Sequence, residues 1–129
     1  MDHGTLILIA RICVSTVYIY SSIDKTVNWP KAVAFWVGLR LPRPELALAA
    51  TIALQLAAGL MVLSGWHARV GAVALIAFTV VATSIAHNPF GRERDDFRRE
   101  MMLVLEHLAI AGGLLLIAVE GPGPLSLLP

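Results

Sequence analysis

Four apolar stretches dominate the sequence, at roughly residues 5–23, 46–65, 68–86 and 101–119. Each is near the ~20 residues that cross a bilayer as a helix. A chain of 129 residues has no soluble core large enough to hide 57% hydrophobic residues against 15% charged, where about 25% charged is usual. The expected fold class is therefore all-α: a four-transmembrane-helix bundle, forming one domain over residues 1–129. Pro42 and Pro44 precede the second stretch, and the short Gly65-Trp66-His67 turn makes the second and third antiparallel neighbours. Asn88-Pro89 closes the third, because proline disfavours helical geometry in the residue before it. Gly121-Pro122-Gly123-Pro124 closes the fourth. The first loop carries a second signal, a short helix lying at the interface from Trp29 to Gly38. Pro30 suits its first turn and Gly38 its stop, while Trp29, Phe35 and Trp36 suit the headgroup zone.

Charge and cysteine content remove several function classes. A net charge of +1 with no basic stripe among stacking aromatics gives no expectation of a nucleic-acid partner. Cys13 is the only cysteine, so neither an intrachain disulfide nor a CxxC redox pair exists. The start, Met1-Asp2-His3-Gly4, lacks the basic segment of a signal peptide, so the first helix is expected to be retained. Lys25, Lys31, Arg40 and Arg43 flank the first loop, and Arg92, Arg94, Arg98 and Arg99 lie in the third. The positive-inside rule places those loops in the cytoplasm and both termini outside.

Polar residues recur on one face of each span. Arg11, Ser15, Tyr18, Ser22 and Lys25 step by alternating fours and threes, which aligns one helical face. Thr51, Gln55 and Gly59 do the same in the second span, and Thr79, Thr83 and nearly His87 in the third. The fourth carries Glu100 and His107 on one face, with Glu106 beside it. Lipid-exposed polar groups are costly, so the stripes should converge inside the bundle. At about 1.5 Å of rise per residue, Tyr18, Thr83, Glu106 and His107 fall at similar depth, with Lys25 and His87 nearer the loops. Tyr18, Gln55, Thr83 and His107 are the candidate ligand-binding residues. Arg11, Ser15, Lys25, His87 and Glu106 are the polar groups of the interior or its mouth. Gln55, Thr51, Thr79, Thr83 and Ser15 would serve equally as interhelical hydrogen-bond glue. Adjacent residues point about 100° apart, so Glu106 and His107 cannot both face one ligand squarely.

No metal site is expected: His87 and His107 are an estimated ~8 Å apart in depth, and no HExxH or similar set exists. No catalytic constellation is visible either, which favours a non-catalytic subunit. Two small-residue faces, Ala49/Ala53/Ala57 and Ala109/Gly113, are candidates for close helix contact.

An ordered set of motifs resembles the DoxX family of four-helix membrane proteins. It comprises Arg11, Ser22-Ile23-Asp24-Lys25, Leu41-Pro42-Arg43-Pro44, Gln55 and Gly59, Leu63-Ser64-Gly65 running to Arg69, His87, and Gly121-Pro122-Gly123-Pro124-Leu125-Ser126-Leu127. Gln55 stands where the family often has an acid, and Glu106-His107 where a Lys-Asn pair is frequent. The resemblance implies a multi-pass protein of a bacterial or archaeal cytoplasmic membrane. Some members of the family are small subunits of thiosulfate:quinone oxidoreductases, so one expectation is an accessory subunit of a quinone-linked redox system. A small-molecule or lipid-binding module and a structural or assembly partner are the alternatives. No intrinsic cofactor is expected, and a quinone or lipid in the bundle is the ligand class considered. The expected partners are the lipid bilayer and either another protein, docked near Arg92–Arg99, or further copies of the chain.

Overall fold

The computed structural model describes residues 1–87, 89 and 93–127. Among these the chain forms α1 (His3–Val27), α2 (Trp29–Gly38), α3 (Pro44–Ser64), α4 (Ala68–Ala86) and α5 (Arg94–Glu120), with no strands. Each boundary has a local cause. Asp2 caps α1 by accepting from the Thr5 N–H at 2.7 Å. Pro30 and Pro44 sit in the first turns of α2 and α3, where a missing N–H costs nothing. Gly65 ends α3 with φ +89°, a left-handed conformation that glycine adopts freely. The chain then enters α4 through His67.

α1, α3, α4 and α5 are long and apolar enough to cross a membrane. α1 packs on α3, α3 on α4 and α4 on α5, and a thinner seam between α5 and α1 closes the ring. α2 buries no residue of its own and lies against α3 and α1 as the interfacial helix. His3 Nε2 and Glu120 Oε2 are 3.3 Å apart, so both termini lie at one end. That end is called the terminus end here, and the opposite one the loop end. Leucines and valines such as Val70, Val73, Val81, Leu108 and Leu116 cover the outside, more than half exposed. A surface so continuously apolar suits lipid rather than water.

The apolar core is lopsided. Val62, Ala72, Leu75, Leu114 and Ile117 fill the terminus half, with Ala58 and Tyr18 at its inner edge. Close approach there is set by Gly59 and Gly71. A Cβ on Gly59 would lie 3.1 Å from Ile19, and one on Gly71 would lie 2.9 Å from the Ala58 carbonyl oxygen. Gly113 of the expected α5 face does touch α1, its ideal Cβ 3.4 Å from Val14. The other expected face differs: Ala49, Ala53 and Ala57 are exposed. The α3 contacts run through Ala58 and Gly59, because the Thr51/Gln55 stripe turns the opposite side of the helix outward.

The fourth span is longer than its apolar stretch. Residues 94–99, expected as loop, form the first turns of α5, with Asp95 and Asp96 favourably placed at its N-terminus. Arg99 donates to Asp96 at 3.2 Å. Asn88 and Arg92 lie outside the described residues.

Candidate ligand-binding site

The polar stripe of α1 carries two cations with different surroundings, one buried and one half-buried. Arg11, 1% exposed, is enclosed at the terminus end. Its Nε donates to the Val62 carbonyl at 2.9 Å and its Nη2 to Leu63 at 2.6 Å. Its Nη1 donates to Pro122 and Leu125, both at 2.8 Å. Val62 and Leu63 belong to the last turn of α3, whose carbonyls have no partner within the helix and carry the negative end of its dipole. Leu127 N–H donates to Ser64 O at 2.8 Å and fastens the tail to the same place. Arg11 therefore neither reaches out to the interface nor faces a ligand. Ser15 is buried beside it and donates to Ile12 O at 3.3 Å, a packing role.

The loop half contains a cavity of about 170 Å³, with Val17, Phe78, Ala82, Ala86 and Ile110 among its walls. Tyr18, Lys25, Gln55, Thr83, His87 and His107 all line it, with Ser21 and Trp36. The Tyr18 hydroxyl and Thr79 Oγ1 share a hydrogen bond of 2.6 Å. Lys25 Nζ donates to Ser21 Oγ and, at 3.3 Å, to Gln55 Oε1. No carboxylate among the described residues pairs with that ammonium. His87 Nδ1 lies 3.0 Å from Glu100 Oε2, and Glu100 is itself buried. His107 Nδ1 donates to the Leu103 carbonyl at 2.6 Å. Thr83 Oγ1 is buried without a hydrogen-bond partner.

A second, larger depression of about 540 Å³ opens on the flank between α4 and α5. Val80, Met101, Val104, Leu108 and Ala111 make it mostly apolar. Thr79, Thr83, His87 and His107 line both spaces and form the wall between them. Hydrogen-bonding groups thus lie beside an apolar, lipid-facing surface, the usual combination of apolar walls and few polar groups.

Two expectations need correction. Glu106 was placed in the interior or at its mouth, but it is exposed on the flank of α5. The helical step that turns His107 inward turns its neighbour away. The depth estimate separated His87 from His107, yet their rings stack with centroids 5.4 Å apart and planes at 27°. His87 is the C-cap of α4, outside helical geometry, so rise per residue does not locate its ring. Even so, no three His, Cys, Asp or Glu side chains converge as metal ligands among the described residues. Glu100 was visible as sharing the face of His107, but its pairing with His87 was not. Trp36 and Ser21 were missed altogether. Ser21 sits four residues before Lys25, a spacing that brings side chains together on a helix. The place of Trp36 depends on how α2 folds back, which has no periodic signal.

This architecture has recorded relatives. The DoxX family profile matches residues 6–88. The chain belongs to the DoxX family. Inner membrane protein YphA of Escherichia coli strain K12 is 30% identical over 122 residues, covering 95% of this chain and 87% of the relative. Inner membrane protein YqjF of the same organism is 26% identical over 121 residues, covering 94% and 88%. No solved structure matches the chain. Helices and relatives agree on a multi-pass protein of the cytoplasmic membrane, with lipid around its DoxX bundle.

Proposed function

We propose that this DoxX protein binds a quinone-like amphiphile at the loop end and serves as an accessory subunit of a quinone-linked membrane redox system. The observation that carries the reading is that Thr79, Thr83, His87 and His107 line both the loop-end cavity and the lipid-side groove. They bring hydrogen-bonding groups for a head beside apolar surface for a tail. Lys25 and Gln55 line the same cavity and offer donors to an oxygen of the head. In this reading the chain supplies the membrane site, and a partner docked on the exposed Arg94, Arg98 and Arg99 turn carries the electrons. A bilayer lipid is the second reading, favoured by the open flank of the groove.

Trp36 provides a reporter inside the cavity. With Trp29 and Trp66 replaced by Phe, a decyl-tailed benzoquinone should quench the remaining fluorescence saturably. Gln55→Leu combined with Lys25→Met should weaken the apparent affinity at least about tenfold, the loss of one or two good hydrogen bonds. Quenching that is unsaturable, or unchanged in the double variant while the protein accumulates normally, would remove the quinone reading. Phospholipid retained by the native protein and lost from the double variant in native mass spectrometry would favour the lipid.

A further inference from the structure

Hydrogen-bond directions along the shared wall constrain which form of the amphiphile fits. A carbonyl oxygen only accepts, so the 2.6 Å contact between His107 Nδ1 and Leu103 O fixes the ring proton on Nδ1. In the neutral imidazole, Nε2 is then an unprotonated acceptor. His87 stacks on this ring with its own Nδ1 turned to the Glu100 carboxyl at 3.0 Å. The acceptor fixed by a backbone carbonyl is thus His107 Nε2. Tyr18 and Thr79 share one hydrogen bond, which leaves one of their two hydroxyl protons over, a donor to a carbonyl and a hydroxyl oxygen alike. The Thr83 hydroxyl is buried in the wall without a partner.

A ligand oxygen placed here meets an acceptor, His107 Nε2. A carbonyl offers nothing to His107 and leaves Nε2 desolvated and unpaired. A hydroxyl donates to Nε2 while its oxygen still accepts from Lys25 or Gln55. Lys25 and Gln55 do not discriminate, since their N–H groups donate to a carbonyl and a hydroxyl oxygen alike. We infer that the site selects the reduced, hydroxyl-bearing form of its amphiphile, a hydroquinone, over the oxidised carbonyl form. This inference rests on the quinone-binding reading above and adds the redox state of the preferred ligand.

The test compares a decyl-tailed benzoquinone with the same molecule reduced to its hydroquinone. Both are titrated anaerobically by calorimetry into the full chain in nanodiscs near neutral pH. The hydroquinone should bind about tenfold more tightly, as expected for one additional well-made hydrogen bond. His107→Phe keeps a ring and removes the acceptor, and should bring the two affinities together. His107→Leu also removes the acceptor, and it serves as the second probe if the phenylalanine variant does not fold. Equal affinities, or tighter binding of the quinone, in the native protein would overturn the preference and leave the binding reading standing. Binding of neither form would overturn both. A preference that survives in both variants would overturn the assignment to this wall.

Discussion

Arg11 and Lys25 belong to one polar stripe of α1, yet the bundle treats them differently. The guanidinium has four carbonyl acceptors drawn from α3 and the C-terminal tail. The ammonium has a serine hydroxyl and the Gln55 oxygen, and it borders a cavity. A buried cation without a counter-charge is expensive in a membrane, and saturation with acceptors offsets that cost. Where four of five N–H donors are matched, the group has become part of the scaffold. Where matching stops short of that, hydrogen-bonding capacity remains for something not made by the chain. The apolar core follows the same division, filling the half that holds Arg11 and stopping where the cavity begins.

The largest test of this contrast is Arg11→Met. It leaves four carbonyls at the terminus end without their shared donor, and should cost about 3 kcal/mol or more, read as a lowered unfolding midpoint in detergent. Arg11→Lys should fail nearly as badly, because one ammonium cannot reproduce the planar fork. A midpoint unmoved by either change would make the two ends equivalent.

Gly65→Ala probes the packing around the same clamp. Its Cβ would lie 2.3 Å from Ser126 Oγ and 3.0 Å from Arg11 Nη2, on a residue with φ +89°. A loss of about 2 kcal/mol is expected. Gly112→Ala is the control, since its Cβ meets nothing within 4 Å. It should be neutral or slightly stabilising through helix propensity.

At the loop end the expectation reverses. Lys25→Met removes an under-partnered charge rather than a keystone, so stability should stay within about 1 kcal/mol or rise. Binding of the decyl-tailed benzoquinone should weaken in the same protein. A large loss of stability would mean that Lys25 is as structural as Arg11.

The smallest effect concerns Asp2, outside both regions. The Thr5 backbone N–H holds its carboxyl below the usual carboxylate range. A lowered folded value means that the cap stabilises above the unfolded pKa, and that this help is lost as pH falls below about 4, through the folded value. The difference in unfolding midpoint between the native chain and Asp2→Ala should therefore shrink on acidification in that window. A difference that does not change with pH would show that the cap contributes nothing as an anion.

Much of this could be read from residue order. α4 runs from Ala68 to Ala86 as its apolar stretch does, because a tight turn and a proline bound it. The α1 stripe was legible because Arg11, Ser15, Tyr18 and Ser22 share a helical face, and all four are buried. Tyr18, Gln55, Thr83 and His107 reach one cavity because polar stripes on neighbouring helices must meet where lipid is absent. The first turns of α5 were hidden because hydropathy marks where a membrane ends, not where a helix does. The partners of Arg11 were hidden because they are backbone carbonyls, which every residue carries. Of Glu106 and His107, spacing alone could not say which turns inward. The stacking of His87 on His107 depends on a cap residue leaving its helix, a displacement that rise per residue cannot express.

The Arg11 clamp also sets an order of events during synthesis. Arg11 emerges from the ribosome with the first helix, whereas two of its acceptors, Pro122 and Leu125, are made more than a hundred residues later. Through that interval the guanidinium sits in a nascent helix without its full set of carbonyls, a cost the translocon or local water must offset. α1, made before the other helices of this bundle, is thus among the last to settle, and the tail acts as the latch that commits it.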